Sequence, residues 1–302
     1  MLYGLAFFLF WTAVAWGAGP LPVVTTSTDL KALVEAVGGG RVQVESLAPP
    51  LHDPHAVEVK PGQLAKLKAA ALLVRIGLDH EPWLGRALRT MGDPRFVRES
   101  PHYLDTSKGI QLLQAETPRV RADKGTHVHG FGNTHYWLDP QNGRPITAAI
   151  LEALVRLAPA ERLYFENNRK RFLDQLDKRL RGWLHTVAPY KGTRLVAVHE
   201  TWPYFAQRFG LVIVGVVEPT PGVPPSPSHL ASLIQKMRDS GIRLLIAEPY
   251  SNASVVKQVA TQSGATAMIL IPSVGGDPGA SDYFSLFDLN IKRFSKAAAA
   301  GR

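Results

Sequence analysis

The sequence predicts an α/β fold: two (β/α) lobes with mostly parallel sheets, joined by one long rigid helix. Three patterns carry this. Short β-branched runs alternate with longer helical stretches, the βαβα order that builds a parallel sheet covered by helices. The alternation is interrupted once, by a continuous helical pattern from Ala160 to about Val187. It then resumes to the end of the chain, with no detectable sequence repeat between the halves.

In chain order, Leu21 to Ser27 (LPVVTTS) reads as a strand and Asp29 to Val37 as a helix ending at Gly38-Gly39-Gly40. Arg41 to Leu47 is a second strand, and Pro49-Pro50 to Pro54 a loop. Pro61 to Ala70 is a helix with proline in its first turn, followed by the strand Ala71 to Ile76. Glu99 to Gly132 reads as loops with one short strand, and Arg144 to Leu157 as a helix. The long pattern opened by Pro159 carries Glu166–Lys170, Asp174–Lys178 and Asp177–Arg181 at i,i+4 spacing on its exposed face. At about 28 residues it would extend roughly 42 Å, the length of a two-lobed molecule. Beyond it, strands are predicted at Arg194–Val198, Leu211–Val217, Arg243–Ala247 and Thr266–Ile271. Helices are predicted at Trp202–Phe209, His229–Asp239, Ser251–Gly264 and Ser281–Ala300. The resulting division is a leader over 1–18, a first lobe over 19–158, a linking helix over 159–188 and a second lobe over 189–302.

The leader sets the expected compartment. Met1 to Gly17 has no charged side chain and is apolar from Leu5 to Trp16, too short for a comfortable membrane span. It fits a secretory h-region followed by small residues, with cleavage after Ala15, Gly17 or Ala18. A periplasmic protein is expected. The chain has no cysteine, which excludes disulfide staples, a thiolate metal site and a lipid-modified cysteine. The formal charge is +9, but Lys and Arg are dispersed, and Arg169-Lys170-Arg171 lies among Glu166, Asp174 and Asp177. That is a solvated helix face rather than a nucleic-acid patch.

In open parallel sheets, ligands bind where loops leave the carboxyl ends of strands. His52 and His55 lie in the loop after the second strand. His199-Glu200 follows the strand LVAV, and Glu248 follows LLIA. His135 lies in NTHYWLDP just before a helix. A lone loop histidine is usually an ordinary solvated residue; several at one sheet edge, with a carboxylate, suit Zn²⁺. Asp53, Asp139, Glu200 and Glu218 are candidates to fix the imidazole tautomers. His80, His102, His185 and His229 read as surface or packing residues.

The segments HDPHAVEVKPGQLAKLKAAALLVRIGLDHEPWL, NTHYWLDPQN, HETWPYFAQRFGL and IAEPYSNASVVKQVATQSGA, with SDYFSLFDLNIKRF more weakly, sharpen this. In this order they resemble the substrate-binding proteins of zinc/manganese ABC importers, the periplasmic metal receptors. The resemblance implies a metal clamped in the cleft between two lobes, held by His55, His135 and His199. It also implies a membrane permease as partner and a monomer that captures Zn²⁺, or alternatively Mn²⁺, without turnover. The family's usual fourth ligand, an Asp after the last strand, falls here near Pro272-Ser273, where no carboxylate stands. Glu248 is the preferred substitute, with Asp277 or water as alternatives. GTHVHGFGNTH contains His127-Val128-His129, which reads either as a shortened metal-collecting loop or as an ordinary polar loop.

Enzyme signatures are missing. His199-Glu200 begins like H-E-x-x-H, but Pro203 replaces the second histidine. No G-x-S-x-G elbow, P-loop or dinucleotide fingerprint is present. A zinc-dependent hydrolase, with Glu200 as general base, remains the rival from another class. Trp137, Trp202, Tyr204 and Phe205 read as cleft wall and lobe packing.

Overall fold

The computed structural model describes residues 19–114, 132–220 and 223–300. The leader and the His127-Val128-His129 segment lie outside the described residues. Two four-stranded sheets form, every strand pair in them parallel.

The first sheet holds β1 (Leu21–Thr25), β2 (Val42–Ser46), β3 (Leu72–Arg75) and β4 (Tyr103–Asp105) in the order β2-β1-β3-β4. The second holds β5 (Arg194–Ala197), β6 (Val212–Val216), β7 (Leu244–Ala247) and β8 (Thr266–Ile269) in the order β6-β5-β7-β8. The two sheets therefore share one topology without a sequence repeat. In each, the chain leaves the first strand to one side and returns on the other. This opens a crevice between the loops after β1 and β3, and between those after β5 and β7.

Helices of the first lobe are α1 (Thr28–Gly38), α2 (Pro61–Ala69), α3 (Pro82–Met91) and α4 (Gly143–Leu157). In α1, Leu30, Leu33, Val34 and Val37 recur at helical spacing and are fully buried, and the Ser27 side chain caps the first turn by accepting from Leu30 N–H at 3.2 Å. The helix stops at Gly39, whose φ of 51° is a left-handed value. Helix α3 is an element the periodicity did not name. It buries only Leu84 and Ala87 fully, so its apolar stripe is narrow, but Pro82 opens it and Gly92 closes it at φ 63°.

The linking helix α5 (Arg162–Val187) carries Phe165, Phe172, Leu176 and Trp183 on its buried face. Its exposed ion pairs run Arg162–Glu166 and Lys170–Asp174, while Asp177 pairs across to Arg144. The second lobe adds α6 (Pro203–Phe209), α7 (Pro227–Asp239), α8 (Ala253–Ser263) and the terminal α9 (Tyr283–Ala300). Helix α9 packs on α5 through Phe172–Phe284 and Trp183–Phe287 ring contacts at 5.0 and 5.2 Å. Trp183 also donates to Asp288 at 2.7 Å. One apolar cluster, including Trp137, Phe165, Trp202, Phe205 and Phe287, runs through both lobes. Each such ring contributes about 1.5–3 kcal/mol by leaving water, so the lobes form one packed body. Among the described residues no helix is long and apolar enough to cross a membrane.

Candidate metal centre

The loop after β2 is pinned before it reaches its histidine. Asp53 accepts from His55 N–H at 2.9 Å, and Trp83 Nε1 donates to the Pro54 carbonyl at 2.8 Å. The His55 ring then donates from Nδ1 to the His80 carbonyl at 2.9 Å. A carbonyl only accepts, so this bond fixes the tautomer and makes Nε2 the nitrogen through which the ring could hold a metal.

His135 is oriented by the same logic. The Asn133 side chain donates to Gln114 at 2.9 Å and to the Glu200 carbonyl at 2.7 Å, which turns its oxygen toward His135. That oxygen accepts from the His135 N–H at 3.0 Å and faces His135 Nδ1 at 3.3 Å. The Nε2 atoms of His55 and His135 consequently point at one another, 3.2 Å apart. A tetrahedral Zn²⁺ with about 2.0–2.1 Å Zn–N bonds separates its donors by roughly 3.3 Å.

His80 completes this group. One ring nitrogen from each of His55, His80 and His135 lies within 4.8 Å of the others. His80 is 1% exposed, and its Nδ1 sits 2.8 Å from Thr134 Oγ1. Of the two placements expected from the sequence, surface or packing, the surface one does not hold, and the buried ring packs beside His55 and His135. The signal was available, because His80 follows β3 at the carboxyl edge as Glu248 follows β7. The intervening Ile-Gly-Leu-Asp separates it from the strand and hides the relation.

His199 lies outside that group. It leaves the end of β5 and sits between two carboxylates: Nδ1 is 2.7 Å from Glu248 and Nε2 is 2.8 Å from Glu218. Burial alone would lower the imidazole pKa, but the hydrogen bond and charge of Glu248, joined by those of Glu218, hold it up at about 9. Glu248 is 1% exposed and its oxygens also accept from Trp202 Nε1 and Ser251 Oγ, both at 2.7 Å. Glu248 thus anchors the His199 ring from behind.

The remaining candidates are placed as follows. Asp277 accepts from Arg293 at 2.7 Å and from Gly279 N–H at 2.8 Å. Those bonds hold its carboxyl below the usual range. Pro272 accepts from Trp137 Nε1 at 2.9 Å, and Val274 N–H donates to Asp29 at 2.9 Å, so the segment after β8 is tied to the first lobe. His52 and His185 are exposed, His102 bonds the Ala71 carbonyl and His229 the Val216 carbonyl.

The family described as zinc-uptake complex component A, periplasmic, matches residues 23–297. The chain belongs to this family. Among its relatives, the high-affinity zinc uptake system protein ZnuA of Yersinia pestis is 24% identical over 84% of this chain and 83% of its own. The manganese ABC transporter substrate-binding lipoprotein PsaA of Streptococcus pneumoniae is 22% identical over 98% of this chain and 94% of its own. A crystal structure of ZnuA superposes with a TM-score of 0.77 at 25% identity, covering 92% of this chain and 99% of that one. The substrate-binding protein FpvC of Pseudomonas aeruginosa, in complex with Mn²⁺, gives 0.77 at 21%, covering 93% and 99%, a likeness of fold. Within this ZnuA-family fold, the imidazole group of the first lobe and His199 with its carboxylates in the second occupy the carboxyl edges of the two sheets.

Proposed function

We propose that this protein captures a transition-metal ion, Zn²⁺, in the periplasm and delivers it to the membrane permease of an ABC importer. The observation that carries the reading is the facing pair of Nε2 atoms on His55 and His135. With both Nδ1 atoms facing acceptors, the two Nε2 atoms converge on one point, an arrangement that suits a cation between them. His199 joins from the second lobe with Glu248 as its carboxylate support, the arrangement that orients metal-bound imidazoles in general. Imidazole-rich donors favour Zn²⁺ over Mn²⁺, which tends toward carboxylate and water. A fully surrounded ion is held rather than activated, so a receptor is preferred to a hydrolase.

The same bonds limit how release occurs. Asn133, Tyr204, Asp139, Arg208, Trp137 and Pro272 link the lobes by direct hydrogen bonds. Loop shifts and small tilts on permease docking therefore fit better than wide hinge opening.

Metal analysis and chelator competition on the mature protein test the reading. One equivalent of zinc is expected, with His55→Ala and His135→Ala each weakening it by at least about 100-fold, roughly 3 kcal/mol. Wild-type affinity in both variants would overturn the site.

A further inference from the structure

The turn that follows β3 is unusual in its backbone. Gly77, Leu78 and Asp79 take φ values of 87°, 55° and 60° in succession. Such values are sparsely populated by non-glycine residues and cost on the order of 1 kcal/mol or more each. At Gly77 a Cβ would stand 2.2 Å from Asp105 Oδ1, so any side chain there would have to displace the Asp105 carboxylate.

A buried carboxylate holds the turn in this shape. Glu81, 4% exposed, accepts from Ile76 N–H at 2.6 Å, Gly77 N–H at 3.1 Å, Thr26 Oγ1 at 2.6 Å and the Arg75 guanidinium at 2.9 Å. That much fixed geometry delivers one side chain, His80. Its ring stands edge-on to His55 and His135, with centroids 4.4 and 5.3 Å away. Its backbone carbonyl is also the acceptor that sets the His55 tautomer.

We propose that His80 is itself a metal ligand, supplying through Nε2 the donor that is missing at Pro272-Ser273. The inference rests on the metal-capture reading above and changes the ligand set: three imidazoles from the first lobe alone, with His199 as the donor from the second. Nδ1, facing Thr134 Oγ1, is the orienting nitrogen, as Nδ1 is in His55 and His135. The first lobe then offers a preformed three-imidazole landing site before His199 Nε2 leaves Glu218, with Nδ1 still held by Glu248. A donor set of imidazoles in place of a carboxylate shifts preference toward Zn²⁺ and away from Mn²⁺.

The test uses the mature protein, zinc and manganese chlorides, and the variants His80→Gln, His80→Ala and His55→Ala. Competition titration is paired with zinc X-ray absorption, which counts imidazole ligands directly. His80→Gln keeps a group able to bond Thr134 and guards against misfolding in His80→Ala. The expected result is a loss of zinc affinity of at least tenfold in both His80 variants, a smaller change for manganese, and one imidazole fewer around bound zinc. Unchanged zinc affinity with an unchanged imidazole count in His80→Gln would overturn the proposal while leaving metal capture intact. Failure of the capture reading looks different: the wild type and His55→Ala would bind zinc equally poorly or equally well.

Discussion

His199 Nδ1 and Glu248 Oε2 lie 2.7 Å apart, each at the carboxyl end of an adjacent parallel strand. Strand pairing carries the two together: Val198 N–H, one residue before His199, bonds the carbonyl of Ile246, two residues before Glu248, at 2.8 Å. On the far side of the ring, Glu218 holds Nε2, the nitrogen a metal would need.

The two carboxylates should therefore have opposite effects. Glu248→Gln loses the charge that orients the ring and is expected to weaken zinc binding about 10–100-fold, as loss of supporting partners does elsewhere. Glu218→Gln removes a competitor for Nε2 and should leave affinity equal or raise it. Competition titrations of both variants decide the matter; equal weakening would mean that Glu218 is part of the metal's own shell.

Arg208 and Asp139 join the lobes through two bonds of 2.7 Å, and the carboxylate end is buried. Removing the arginine leaves that carboxylate without its charge partner. Arg208→Ala is expected to cost about 1–3 kcal/mol, less than a fully buried pair because the guanidinium is part-exposed. Denaturant unfolding would register it, and the double variant Arg208→Ala/Asp139→Asn should recover part of the loss.

Asp29 gives the clearest pH signature. Burial drives its carboxyl up to about 7 from 3.8, against the Val274 N–H and the Ser273 hydroxyl, which pull it down. The folded state thus keeps a proton that the unfolded chain releases near 4. Between about pH 4 and 7 the folded state binds more protons, so this group's contribution to stability falls as pH rises through that window and is level above it. The full span is at most about 4 kcal/mol. Asp29→Asn should flatten this part of the stability profile in urea unfolding at pH 4.5, 6 and 8; an unchanged slope would contradict the assignment.

How much of this was legible beforehand differs by residue. Helical spacing named α1 and α5, because Leu30, Leu33, Val34 and Val37 recur locally whatever the rest of the chain does. The same criterion passed over α3, where Leu84 and Ala87 alone are fully buried and the rest of the stripe is half-covered. The i,i+4 pairs expected on α5 were redistributed, since Asp177 found Arg144 on a neighbouring helix, a partner that sequence spacing does not contain.

At the site, the strand-end rule led to His55, His199 and Glu248 because a parallel sheet places its carboxyl-end loops on one edge, and that follows from strand order alone. It did not lead to His80. Three successive positive φ values bend that residue back over the sheet edge, and Glu81 braces them through Thr26, just after β1, and Arg75 on β3. Nor does sequence reveal that Asp277 is drawn to Arg293, sixteen residues on in the terminal helix.

By itself, the sequence determined the α/β class, the two-lobed plan, the linking helix and the candidate imidazoles and carboxylates, since these depend on local periodicity and residue type. Only the tertiary structure decided which donors meet: His80 with His55 and His135, and His199 with Glu218 and Glu248. The physical reason is that a side chain's neighbours are set by backbone turns and long-range hydrogen bonds, whose partners lie far apart along the chain.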